Sequence, residues 1–348
     1  MKKKFYLLPF VFFAALAVAL IGAGVNPAPT RHRAQYWKNA GKGSVKCLLC
    51  PRECVIRKGK RGFCQSRINK GGALYSLTYG RPVAAAMDPI EKKPFFHVTP
   101  AEQVLSIATA GCNMRCLFCQ NWRISQTSPD EAPYMEMSPR EVVKEAAEKG
   151  SRWVVYTYTE PTVFYEYMID ICREAKKKGL KNAMHSCGYI NPAPLKKLLK
   201  YMDAVNIDLK GFNDDFYRKM GFLADIEVVL ETLKIIKKSG VWLEITNLVI
   251  PGQNDSPDDI KRMCEWIKKE LGPDVPLHFS RFYPAYRLKN LPPTPGATLK
   301  NARAIALEAG LNYVYIGNAP ELAGENTKCP GCGKTLIKRT GYNVRYNL

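Results

Sequence analysis

Between residues 104 and 316 the chain repeats one pattern: a short apolar run, a loop of small and polar residues, then a stretch whose apolar positions recur every three or four residues. Apolar runs of this length read as strands buried on both faces, and the periodic stretches as amphipathic helices. The pattern predicts strands at Val104 to Ala108, Trp153 to Thr157, Lys181 to His185, Ala204 to Leu209, Trp242 to Ile250, Leu277 to Phe282 and Tyr313 to Ile316. Helices are expected between them, among them Pro139 to Lys149 with Ser138 as N-cap, Val163 to Lys178, and Pro257 to Leu271 with Ser256 as N-cap. Strands that alternate with helices imply an α/β fold with a parallel sheet, doubly wound or barrel-like, whose ligands collect at the carboxyl ends of the strands.

Outside this repeat the pattern changes. Phe5 to Val25 carries no charge and follows Lys2 to Lys4. It is long enough to span a bilayer and also resembles a signal peptide, with Gly22 to Gly24 as a weak cleavage site. Leu74 to Tyr79 alternates weakly, like a strand, and Met87 to His97 is a charged run between prolines, the usual form of a solvated loop. The organisation expected is a hydrophobic segment over 1–30, a Cys-rich module and linker over 44–96, a core over 97–320 and a tail over 321–348.

With 348 residues, 46% of them apolar, the chain can bury one large core or a core with a small appended module. Its net charge is 52 minus 31, or +21, and Lys38 to Lys70 holds ten basic residues against Glu53 alone. Such a rim attracts nucleic acid, acidic protein or anionic lipid without choosing among them.

The 12 cysteines change the picture most, because nine of them fall in metal-ligand spacings, which argues for a reducing compartment. Cys112, Cys116 and Cys119 form C-x3-C-x2-C on the loop leaving the first predicted strand. Three thiolates on one loop suit a cubane cluster with one iron left open, whereas structural zinc asks for four ligands. Cys47, Cys50, Cys54 and Cys64 could close a site of their own, with zinc the first expectation and a second iron–sulfur cluster the next. Cys329 and Cys332 form half of a zinc ribbon and need two more ligands, which Cys47 and Cys50 could supply unless the first four close their own site; the self-contained arrangement is preferred. Cys172 and Cys264 read as helix packing.

The C-x3-C-x2-C loop, with aromatic Phe118 before its last cysteine, resembles the signature of the radical S-adenosylmethionine (SAM) superfamily. Cys47 to Arg52, Asp88 to Pro94 and Cys119 to Trp122 together resemble the AmmeMemoRadiSam system enzymes, relatives of pyruvate formate-lyase activating enzyme. The likeness runs from Cys47 onward and omits the first 30 or so residues. It implies a partial (β/α)6 barrel and a [4Fe-4S] cluster that cleaves SAM to a 5'-deoxyadenosyl radical. It also implies a low-potential electron donor, and Memo-like and AMMECR-like proteins as partners. Because oxygen-sensitive chemistry conflicts with export, the expected arrangement is a membrane anchor with the enzyme on the cytoplasmic side, export after signal cleavage being the alternative.

The resemblance also assigns residues to strand ends. Thr159 and Glu160 match the segment that binds the amino group of SAM, with helix capping as the plainer role. Ser186 and Gly188 match the Ser/Thr-Asn-Gly near the ribose, where Cys187 replaces Asn. Asp208 and Lys210 match an Asp-Leu-Lys at the SAM and substrate site, with a surface ion pair as the alternative. His278 lies where the activating enzymes have a SAM-contacting histidine, although a histidine on an apolar strand is by default a satisfied core residue. The hydrogen donor to the radical is unassigned, a glycyl radical on a protein being one option. A non-catalytic, zinc-stabilised module that binds nucleic acid or protein would explain the basic surface but leaves the three-cysteine loop without a purpose.

Overall fold

The computed structural model describes residues 32–221 and 224–346. Its centre is an eight-stranded sheet whose strands lie side by side in chain order. They are β1 (Pro82–Pro89), β2 (Gln103–Thr109), β3 (Trp153–Tyr156), β4 (Lys181–Ser186), β5 (Ala204–Asp208), β6 (Trp242–Val249), β7 (Leu277–Arg281) and β8 (Val314–Gly317). From β2 to β8 every pairing is parallel, and β1 runs antiparallel along the edge beside β2. All seven strands expected from the apolar runs are present.

The crossovers carry α1 (Pro139–Glu148), α2 (Tyr165–Lys177), α3 (Pro192–Leu199), α4 (Ile226–Ser239), α5 (Pro257–Leu271) and α6 (Gly296–Glu308). Six strand–helix units followed by a seventh parallel strand make the partial barrel. Ser138 and Glu141 close a capping box at the start of α1, as Ser-x-x-Glu predicts. Ser256 does stand at the N-cap of α5, but its side chain makes no capping bond, and Asp258 and Asp259 in the first turn supply the negative charge instead.

Two segments depart from expectation. Met87 to His97 is no solvated loop: β1 ends at Pro89, a 3-10 turn follows at Ile90–Lys92, and Glu91, Lys93, Phe95 and Phe96 are buried. Its buried charges are paired, Asp88 with Lys93 and with the exposed Lys92, and Glu91 facing Arg339. The membrane anchor is the second correction. Among the described residues no helix is long and apolar enough to cross a membrane, and Phe5 to Val25 lies outside them. The helices that are present, α5 for example, bury one stripe (Ile260, Met263, Ile267, Leu271) and carry acidic and basic residues on the rest.

Residues 32–76 form two small three-stranded antiparallel sheets. A buried ion pair, Arg67 Nη2 to Glu166 Oε1 at 2.5 Å, ties them to α2. A third small sheet, Thr327–Lys328 with the hairpin Thr335–Thr340 and Asn343–Tyr346, follows the barrel. Arg339 anchors it, donating to the Phe96 carbonyl at 2.6 Å and to Thr327 Oγ1 at 2.7 Å. All 12 cysteines are free thiols.

Candidate active site

The carboxyl ends of the parallel strands surround a cavity of about 770 Å³, inside the range of about 300–1,000 Å³ usual for small-molecule sites. Cys112, Cys116 and Cys119 line it from the loop after β2, with Phe118 beside them. That loop is fixed from several directions. The Leu117 N–H donates to the Met220 carbonyl at 3.0 Å, and the Asn121 amide to the Tyr158 carbonyl at 2.7 Å. Cys112 Sγ accepts the Met114 N–H at 3.3 Å, and Cys119 Sγ lies 3.2 Å from Ser125 Oγ.

Burial pushes all three thiols above their ordinary range, followed by the negative charge of Glu160 at Cys112 and of Cys119 at Cys116. Such a set ionises when a metal supplies positive charge. Three soft donors converging from one loop on an open cavity fit a cubane held at three corners.

Opposite the loop stands Glu160, buried where β3 gives way to a 3-10 turn. Oε1 accepts from Ser186 Oγ at 2.7 Å, Thr162 Oγ1 at 2.7 Å and the Thr162 N–H at 3.0 Å. Oε2 accepts from the Cys187 N–H at 2.9 Å and its thiol at 2.6 Å. The carboxylate thus caps the turn and also faces the cavity. Cys187, which stands where the resemblance would place Asn, holds Oε2, while Ser186 and Thr162 hold Oε1.

At the end of β5, Lys210 Nζ and His185 Nε2 converge on Asp208 Oδ1, at 2.7 and 3.0 Å. Burial alone would raise Asp208; Lys210 first, and then His185, instead hold it well below the usual carboxylate range. Thr159 lines the cavity and donates to the Thr109 carbonyl at 2.8 Å, tying β3 to β2. His278 lines the floor, nearly inaccessible, with Nε2 2.7 Å from Glu244 Oε2. Glu244 also accepts the Phe96 and His97 N–H groups, and His278 with its other partners keeps it ionised despite burial.

Of the expected cavity residues only Gly188 stands off: its φ of +70° serves the turn, and a Cβ there would meet Ile207 at 3.1 Å. The Cys329 and Cys332 pair sits on the turn before the Thr335–Thr340 strand. Cys47, Cys50, Cys54 and Cys64 line one hollow without them, and among the described residues no group of three or more Cys, His, Asp or Glu side chains is already drawn together into a finished metal site.

Sequence reasoning missed two walls. Lys93 and Tyr158 line the cavity. Lys93 Nζ lies 2.7 Å from Asp88 and 3.8 Å from the centre of the Tyr158 ring, and burial lowers it to about 8. Tyr158, at φ +62°, donates to Asp88. The other wall is Gly341 and Tyr342 of the C-terminal hairpin. The signals for the first were the density of charge in Asp88 to Lys93 and the place of that stretch in the family resemblance, neither of which pointed to the cavity; for the second there was none.

An open α/β barrel with three cysteines at the mouth of its strand-end cavity defines a class, and residues 106–267 match the radical SAM superfamily. An uncharacterized protein of Methanocaldococcus jannaschii is 51% identical over 312 residues, covering 90% of this chain and 92% of that one. The chain belongs to the radical SAM superfamily and is an enzyme of that class. It is also 26% identical to the pyruvate formate-lyase-activating enzyme of Clostridium pasteurianum over 173 residues, 45% of this chain and 66% of that enzyme. Among solved structures, a radical SAM methyltransferase from Sphaerobacter thermophilus shares the fold with a TM-score of 0.50 at 15% identity, covering 63% of this chain and 67% of that one. A non-catalytic zinc module is thereby set aside.

Proposed function

We propose that Cys112, Cys116 and Cys119 hold a [4Fe-4S] cluster and that SAM occupies the cavity between this loop and Glu160. The observation that carries the reading is the convergence of the three thiols and a buried, oriented carboxylate on one cavity. When bound, the cluster supplies one electron that cleaves SAM to methionine and a 5'-deoxyadenosyl radical, which takes a hydrogen atom from the substrate.

The chain's own residues bind and orient. Glu160 receives the SAM ammonium; the Cys187 thiol is the weakest donor now on it, and the one an ammonium displaces. Ser186 holds Glu160 and borders the ribose, while Gly188 shapes the turn that carries Ser186. Lys210, fixed by Asp208, meets the SAM carboxylate. His278 presents Nδ1, which has no hydrogen-bond partner among the described residues, while Glu244 holds Nε2. Lys93, Tyr158 and Tyr342 face the remaining space, where the substrate lies.

The motifs from Cys47 to Trp122 support placing the chain among AmmeMemoRadiSam enzymes, with a low-potential donor and Memo-like and AMMECR-like partners. A protein that receives a glycyl radical is the substrate class closest to the activating enzymes it resembles. A second metal site on Cys47, Cys50, Cys54 and Cys64 belongs to the same reading.

The test is anaerobic reconstitution with iron and sulfide, reduction by dithionite, and addition of SAM. A paramagnetic signal that changes with SAM, formation of 5'-deoxyadenosine, and loss of both in Cys116→Ala are expected. A signal indifferent to SAM, with no nucleoside formed, overturns the reading.

A further inference from the structure

The second group of thiols lies against the first. Cys47, Cys50, Cys54 and Cys64 line one hollow together with Arg67 and Asn113. Asn113 directly follows Cys112. Its side chain hydrogen-bonds to Cys50 and faces the Cys187 thiol at 3.9 Å, and its carbonyl accepts from Arg52 Nε at 2.5 Å. One residue before Cys112, Gly111 packs so closely that a Cβ there would lie 2.5 Å from the Cys64 carbonyl and 2.3 Å from Ser66 Oγ. Arg115, on the Cys112 loop, donates to the Phe63 carbonyl. The two cysteine segments therefore meet backbone to backbone, and Asn113 reaches from the Cys112 loop to Cys50.

The hollow is also furnished for negative charge. Arg67 Nη1 approaches Cys47 Sγ at 3.7 Å and the Phe63 N–H approaches Cys54 Sγ at 3.5 Å. Arg52 and Arg115 both lie over the Phe63 ring, at 3.9 and 4.1 Å. Hydrogen bonds to sulfur, burial and nearby cations are the protein's means of setting the potential of an iron–sulfur cluster. Zinc would serve folding alone. Folding here already has the Arg67–Glu166 pair and two small sheets, and it gives no reason for the thiols to abut the Cys112 loop.

We propose that Cys47, Cys50, Cys54 and Cys64 hold a second iron–sulfur cluster, which passes one electron at a time to the cluster on Cys112, Cys116 and Cys119. The proposal rests on the function proposed above. An external low-potential one-electron donor reduces the second cluster, and that electron moves on as SAM is cleaved. The second cluster thereby returns to its oxidised state, and each SAM consumes one donor electron.

The test uses the full chain, reconstituted anaerobically, with iron, acid-labile sulfide and zinc measured together. Two cubane clusters give about eight irons in the wild type, and the Cys112→Ala/Cys116→Ala/Cys119→Ala variant keeps about four, with a reduced signal that SAM leaves unchanged. The Cys50→Ala/Cys64→Ala variant keeps the SAM-responsive signal and loses one of two waves in a potentiometric titration. In the fully reduced wild type the signals broaden through coupling of neighbouring spins. About four irons with one zinc in the wild type overturns the second cluster, and needs no variant to fold. So does a triple variant that is folded by circular dichroism yet binds no iron. Iron in the triple variant but none in the double variant leaves the second site standing and overturns the assignment of Cys112, Cys116 and Cys119.

Discussion

Glu160 shows how one side chain can be readable in the sequence while its setting is not. Its place after an apolar run marks it as a strand-end carboxylate, but one of the residues that aim it, Cys187, departs from the family pattern and carried no expected role. Glu160→Gln keeps the shape and removes the charge. Losing a charged hydrogen bond of about 1.5–3 kcal/mol should weaken SAM binding roughly 10- to 100-fold, measured by calorimetry on reconstituted protein. Lys93 was hidden for the opposite reason, since a run of charges looks solvated until its partners are known. With its pKa lowered to about 8 from 10.5 by burial, Lys93 has released its proton in the folded chain between those pH values while the unfolded chain still holds it. Stability from this group therefore rises as pH increases through that window and falls as pH drops through 8. Urea midpoints at pH 7.5 and 10 should show the wild type gaining on Lys93→Met at the higher pH.

At the level of elements, the parallel strands were legible because burial on both faces leaves uninterrupted apolar runs. β1 was not: Pro82-Val-Ala-Ala-Ala-Met-Asp-Pro89 has neither a clean alternation nor a large apolar residue at its centre, and proline at each end suits only an edge strand. The loop after β2 depends on Gly111, at φ +96° against the Cys64 carbonyl. Gly111→Ala forces a backbone shift there, should cost at least about 1–3 kcal/mol, and should lower iron retention after gel filtration. The C-terminal hairpin hangs on Arg339, whose Nε lies 3.6 Å from buried Glu91. Arg339→Met leaves that carboxylate with the Ala101 N–H but without its charged partner, and a loss of about 3–5 kcal/mol in unfolding free energy is expected from denaturant titration.

For the molecule as a whole, chain order is sheet order, so the alternation of strands and helices was enough to predict a parallel α/β sheet and the end at which its site lies, while the choice of a barrel came from the resemblance. What closes the cavity was not predictable, because it comes from distant parts of the chain. Arg339 binds the Phe96 carbonyl 243 residues away, and the Arg67–Glu166 pair spans 99. Contacts of that separation leave no periodic trace. Metal should knit these parts together, since a ligand bound only by the native state stabilises it. Removing iron with a chelator under reducing conditions is expected to lower the melting temperature by several degrees, and to do so less in the Cys50→Ala/Cys64→Ala variant.

The hairpin that supplies Tyr342 to the cavity wall is translated after every strand of the barrel. Every element that carries Cys112, Cys116 and Cys119 to the cavity precedes it in the chain. Until the hairpin is seated the three thiols face a cavity one wall short, and seating it adds Gly341 and Tyr342 to that wall.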